Sequence, residues 1–398
     1  MWEPFSGLGA DLDQQIRAAR RKLGGSITSA ARLTPAHVMV WGQFADAPAR
    51  ALQTGVYGTS TAAMLLAARG RDMTSTVRLL PGVTEPSSAE FDVSDLLITH
   101  KASAVVEALS AVRYPGAHAT AACLTLLSGV IDRQGWGHHA VPGEPEMPSV
   151  LATSHALIAL AGIEGIDESL LEGPALWLSG RILDDGLLGT LELAFAVIAL
   201  AKLRTAGIGP EGSEALRRGA NVLRATLRRM SADSIVYEQV HYWVPKPGEQ
   251  RNHYMTFPLQ VVVGTALLES GAGARARSSL RELAGRLCRA VEADGGLRSS
   301  LTERIGVVDA GLVDRFFAVY LAAQPAPRWR RRMFLRLARV RWLPRTLVFL
   351  GLVVVAFWTW RVASGESGGM SAASVANIVF ALVTGVLGSM AYSRWDRR

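Results

Sequence analysis

Residues 149–161 read SVLATSHALIALA, thirteen residues without a charge and with only serine, threonine and one histidine as polar members. The run is too short to cross a bilayer. It is also apolar on every face, as a helix must be if protein surrounds it on all sides. In front of it stands Gln134-Gly135-Trp136-Gly137, a glycine and aromatic turn, and then a polar loop to Pro148. The same order recurs along the chain: a first helix, a glycine or aromatic turn, a polar loop, and a second helix of small apolar residues. The second helices are expected at Gly58–Ala68, Ile98–Ala111, Val150–Gly162, Thr190–Lys202, Thr256–Ser270 and Ala310–Ala323. The first helices carry a polar face. Ser213–Arg229 (SEALRRGANVLRATLRR) is arginine-rich and amphipathic, as expected of an outer position.

Six such hairpins can close into a ring with the second helices inside, or stack as an open solenoid. The body is expected to be all-α, without a sheet. The arrangement resembles the α/α toroid of the terpene cyclase and prenyltransferase superfamily. The resemblance is carried by the Gly/aromatic turns, above all Gln134–Gly137 followed by Ser149–Ala161, and it covers about residues 37–323. It implies an architecture: an α/α toroid of about six helical hairpins. It does not carry a reaction. The Asp-x-Asp-Asp motif of triterpene cyclases is missing, and Asp184-Asp185 is followed by Gly-Leu-Leu and so makes no Asp-Asp-x-x-Asp. The Asp, Cys and His zinc trio of protein prenyltransferases would need an inner-rim cysteine, whereas Cys123 and Cys288 fall on expected outer helices. No cofactor and no metal is expected.

A membrane anchor is expected after the body. Leu347–Trp360 (LVFLGLVVVAFWTW) and Met370–Tyr392 are apolar runs without a charge, separated by a short loop with three glycines. With Trp342–Thr346 in front, the first approaches the length of a span, and Trp342, Trp358 and Trp360 suit the interfacial belts. A buried helical pair in a soluble core is the alternative. The charge supports the span. The chain totals +8; Arg328–Arg345 holds eight arginines and no acid, and the tail Ser393–Arg398 adds two, so residues 1–327 carry −2. A basic excess confined to the flanks of apolar runs argues for an anionic leaflet and against nucleic acid. Arginines outside both ends of the pair, with a single arginine in the loop, place both ends in the cytoplasm. Met1–Gly24 has no apolar core of a signal peptide.

The expected organisation is a helical lead-in at 1–36, the ring at 37–327, a basic amphipathic juxtamembrane segment at 328–345, two transmembrane helices within 346–392, and a basic tail at 393–398. The expected place is a bacterial inner membrane. Ala381, Gly385 and Ser389 at four-residue spacing form a small-residue stripe that allows self-association.

In such a ring the outer-to-inner loops open at one end. His138 and His139 lie in one long loop, Gln134–Pro148, with Trp136. A second long loop, Ser234–Met255, holds Tyr237, His241, Tyr242, Trp243, Arg251, His253 and Tyr254. Aromatic walls with convergent polar groups describe a ligand pocket, so these residues are the expected binding set. His155, Glu192 and Asp314, polar or charged on apolar inner helices, are the candidate catalytic groups. His155 is otherwise a hydrogen-bonded core histidine, and Asp314 otherwise a local pair with Arg315. Three functions fit. The first is a membrane-anchored module that binds or senses a small molecule, lipid or peptide; its layout is similar to that of bacterial antiphage effectors, a likeness of layout only. The others are an isoprenoid enzyme at the membrane surface and a protein-docking scaffold.

Overall fold

A computed structural model describes residues 7–46, 54–84, 90–139, 147–184, 188–208, 213–230 and 234–324, with residues 247–248 left out and the backbone alone at 7–10, 93, 213 and 241–254. The segments at 328–345, 346–392 and 393–398, including Ala381, Gly385 and Ser389, lie outside the described residues. Among the described residues no helix is long and apolar enough to cross a membrane.

The described chain is all-α in class. Twelve helices follow one another: α1 (Gly7–Ser29), α2 (Val56–Ala67), α3 (Thr74–Arg78), α4 (Thr99–Ala111), α5 (Ala121–Ser128), α6 (Val150–Leu160), α7 (Ser169–Leu183), α8 (Thr190–Ala206), α9 (Ser213–Arg229), α10 (Leu259–Glu269), α11 (Arg277–Asp294) and α12 (Val307–Ala323). The even-numbered helices are the expected inner ones. All eleven residues of α6 are buried, and ten of the eleven in α10. Burial all round matches sequences that are apolar all round.

The even helices pack in chain order, α2 on α4, α4 on α6, α6 on α8, α8 on α10 and α10 on α12, and α12 packs back on α2. An open solenoid would lack that last contact. Gly311 makes it possible: a Cβ there would stand 2.2 Å from Thr61 Cγ2, so α12 approaches α2 closer than any side chain allows. Residues at matching heights meet. Tyr57 and His100, near the starts of α2 and α4, pack edge to face at 5.7 Å, and His155 and Phe195, in the middle of α6 and α8, lie 4.5 Å apart. The inner helices therefore run in one direction. Of the odd helices, α1 packs on α11 and α12, α5 on α4, α7 on α6, and α9 on α8 and α10, each covering the outside of the cycle. Met1–Ala323 forms one compact unit, so α1 belongs with the ring.

Two glycine and aromatic turns build the same clamp. The Trp41 indole Nε1 donates to Ile27 O at 2.7 Å, and its backbone exchanges hydrogen bonds with Thr59 Oγ1. Trp136 Nε1 donates to Leu126 O at 2.6 Å, and its backbone exchanges hydrogen bonds with Thr153 Oγ1. Each tryptophan ties an outer helix end to the second turn of the next inner helix.

The expectation of no sheet fails at one place. Three antiparallel pairs occur: β1 (Arg32–Leu33) with β2 (Met39–Val40), β3 (Val130–Ile131) with β4 (Gly135–Trp136), and β5 (Tyr237–Lys246) with β6 (Glu249–Pro258). The first two are brackets around turns. The third is a hairpin of two ten-residue strands, in register from Tyr237 opposite Pro258 to Lys246 opposite Glu249, where a loop was expected. Its residues explain it. Valines, tyrosines, tryptophan and phenylalanine favour a pleated surface, and Pro247-Gly248 stands between the strands in sequence.

Candidate functional site

The ring surrounds a partly open cavity of about 450 Å3 lined from all six inner helices and by Arg20 of α1. That lies within the range of small-molecule sites. Its wall is apolar over Met64, Leu65, Ile158, Leu312 and Val319 and aromatic at Tyr57 and Phe195. Its charged members, Arg20, Glu107, Lys202, Glu269, Asp314 and Arg315, fall in two clusters.

In the first cluster Arg315 of α12 donates to Glu269 at the end of α10, at 2.9 and 3.1 Å. Glu107 of α4 faces Arg315 at 4.0 Å and Lys202 of α8 at 3.9 Å. The Lys202 side chain keeps 33% of its surface accessible. It is nevertheless enclosed by protein, because what it faces is the cavity. Burial moves the Lys202 pKa down, with Glu107 opposing. Burial would lower that of Arg315 too, but Glu269 and Glu107 outweigh it and the net direction is up.

In the second cluster Asp314 accepts from Arg20 at 2.8 and 3.3 Å and from Arg69 at 2.8 Å. Arg69 also donates to Leu65 O and Arg20 O, and burial lowers its pKa. Asp314 is thus neither the partner of its neighbour Arg315 nor an unpaired cavity acid. Consecutive residues on a helix point about 100° apart, so Asp314 turns toward α1 and α2 while Arg315 turns toward α10.

Glu192 lies elsewhere than expected. It sits on the first turn of α8, where its Oε2 accepts from the Gly189 N–H at 3.0 Å. It is a helix cap near the surface, and it is not among the cavity's lining residues. His155 does line the cavity. It is 6% exposed, packs between Phe195 and Phe257, and its Nε2 has no hydrogen-bond partner. Burial first, then Arg315 and His138, lowers its pKa to about 4, so the ring is neutral at physiological pH.

Described parts of the two long segments come to one place. His138, His155, His100 and Leu151 meet Val240, Met255 and Phe257 from the hairpin around a space of only about 10 Å3. That is at most one water. Trp136 is 1% exposed and serves the clamp described above. His139 pairs by backbone with Ile98, and the His138 carbonyl accepts from Thr99 N. Tyr237 opens β5; its hydroxyl is buried without a hydrogen-bond partner, and burial together with Asp309 raises its pKa. The side chains of His241, Tyr242, Trp243, Arg251, His253 and Tyr254 lie outside what is described; the register sets His241 opposite Tyr254, Tyr242 opposite His253, and Val244 opposite Arg251.

The sequence reading missed Glu107, Lys202, Glu269, Arg315 and Asp309. A signal was present for four of them, since Glu107, Lys202, Glu269 and Arg315 interrupt otherwise apolar inner helices just as Glu192 and Asp314 do. Asp309, on the first turn of α12, is 3% exposed with Oδ1 unpaired, and burial pushes its pKa up to about 7. Cys123 and Cys288 are buried on α5 and α11, and burial raises both thiols to about 11. Among the described residues no group of three or more His, Cys, Asp or Glu is placed to hold a metal ion. No family model matches the chain, and no curated protein matches it.

Proposed function

We propose that this chain is a membrane-anchored α/α toroid that binds or senses a small, largely apolar molecule in its central cavity. The observation that carries the reading is the central cavity of about 450 Å3, to which every inner helix contributes and whose lining combines apolar side chains with charged groups. The likeness to the terpene cyclase and prenyltransferase superfamily is, in this reading, one of architecture. Asp314, the acid expected in the cavity, is held by two arginines. The anchor rests on the sequence of residues 328–398: two apolar runs with arginines outside them. A cytosolic ring on a short hairpin passes ligand state to the bilayer.

Native mass spectrometry of the detergent-solubilised full chain tests the cavity. A co-purifying small molecule is expected, and Ala318→Phe, which fills the lining, should release it. A wild-type chain without bound mass, and with a melting temperature unmoved by hydrophobic ligands, overturns the reading. Reporter fusions at Gly368 and Arg398 test the anchor: periplasmic activity at Arg398 rules out two spans.

A further inference from the structure

We infer that the charged end of the cavity is built for the hydroxyl group of an otherwise apolar ligand, held between Glu107, Lys202 and Arg315. This rests on reading the cavity as a ligand site and adds the chemistry of what it takes.

Three observations lead there. First, the spacing is wrong for a closed ion network. Glu107 stands 3.9 Å from Lys202 and 4.0 Å from Arg315. Both separations exceed the 2.7–3.2 Å of a direct hydrogen bond. Elsewhere in the cavity the charges do close, at 2.9 Å for Arg315 with Glu269 and 2.8 Å for Asp314 with Arg20. The looseness is therefore local to Glu107 and Lys202, neither of which has a direct hydrogen bond from its charged group among the described residues. Polar groups separated in this way leave room for an oxygen to bridge them.

Second, the charge selects the bridging group. Glu107 and Glu269 balance Lys202 and Arg315. An anionic head would have to displace a carboxylate from Arg315, and a cationic head would meet Lys202 and Arg315. A hydroxyl accepts from the Lys202 ammonium and donates to the Glu107 carboxylate, which completes both without changing the net charge. The Asp314 cluster carries one excess positive charge, but its two arginines are already held by Asp314, Leu65 O and Arg20 O at hydrogen-bond distance. It offers no comparable gap.

Third, the rest of the wall fits a hydrocarbon body. Ile158, Leu65, Met64, Phe195 and Tyr57 line the space beyond the charges. The downward shift of the Lys202 pKa is consistent with an ammonium that has lost water and gained no close partner.

The test uses a head-group series on the full chain in lipid nanodiscs: decan-1-ol, decane, decanoate and decylamine. The chain has four lysines, Lys22, Lys101, Lys202 and Lys246, so reductive methylation with peptide mapping reads Lys202 directly. Decan-1-ol should protect Lys202 and leave the other three unchanged. Its affinity should exceed that of decane about tenfold, the equivalent of one hydrogen bond to a charged group. Lys202→Met and Glu107→Gln should each bring decan-1-ol down to the level of decane; two variants guard against one that fails to fold. If decane and decan-1-ol bind equally, the cavity reading stands and the hydroxyl site falls. If decanoate or decylamine binds best, the site is ionic and the inference falls. If none of the four binds or protects, both the hydroxyl site and the cavity reading fall.

Discussion

Replacing Asp314 separates the tertiary pairing from the sequence-local one. Asp314 is 6% exposed at its side chain and accepts from two arginines that are 24% and 19% exposed. Asp314→Asn keeps the shape and removes the charge, so Arg20 and Arg69 are left together without a counter-ion. Breaking a fully buried pair in this way costs about 3–5 kcal/mol. Here both arginines retain some water, which solvates part of the released charge, so about 2–3 kcal/mol is expected. A unit of this size loses about 2 °C per kcal/mol, which gives a fall of about 4–6 °C in melting temperature. The assay is thermal unfolding of the full chain followed by helical circular dichroism. Double-mutant cycles supply the decisive comparison. Asp314→Asn with Arg20→Met should show a coupling of about 1 kcal/mol or more, whereas Asp314→Asn with Arg315→Met should be additive within about 0.5 kcal/mol. An unchanged melting temperature, or equal coupling to Arg315, would refute the assigned partners.

Trp41→Phe and Trp136→Phe should each destabilise the chain by about 1–3 kcal/mol, because each leaves a buried carbonyl, Ile27 O or Leu126 O, without its indole donor; chemical denaturation of the two variants checks this, and a wild-type midpoint for either contradicts the clamp. Asp309 has a folded pKa of about 7 against an ordinary value of 3.8, so the folded state binds the extra proton. Stability should therefore fall as pH rises from about 4 to about 7, and Asp309→Asn should gain on wild type across that window; parallel pH profiles would count against the buried acid. His155 has the opposite sign, about 4 folded against 6.5, so the unfolded state binds the extra proton. Wild type should lose stability as pH falls from about 6.5 to about 4, and His155→Phe should be flatter there; a histidine signal that titrates near 6.5 in the folded protein would contradict the burial.

The inner helices were legible to within a few residues. Val150–Gly162 was expected against Val150–Leu160 in the fold, and Thr190–Lys202 against Thr190–Ala206. Such helices must be apolar over their whole circumference, and that property belongs to each segment alone. Cys123 and Cys288 lie on α5 and α11, two of the helices outside the cycle, where outer helices were expected. Glu192 shows the limit. A charge near the start of an apolar helix reads alike whether it caps the helix or enters a cavity, and only the Gly189 N–H within reach decides it.

What the sequence determined by itself is therefore the class, the order of outer and inner helices, and the apolar and basic pattern of residues 328–398, all of which are properties of contiguous residues. Tertiary structure decided the rest. The hairpin at 237–258 forms because two strands pair across Pro247-Gly248, and a strand alone has no partner to reveal it. His138, Val240, Met255 and Phe257 gather around His155 although they come from separate segments of the chain. Asp314 meets Arg20 and Arg69, 294 and 245 residues away in sequence, because α12 returns to α2 and α1 covers that closure. Lys202 faces Glu107 because α4, α6 and α8 curve round a common axis. Pairings of this kind depend on which helices the ring brings together, and no local pattern of residues encodes that.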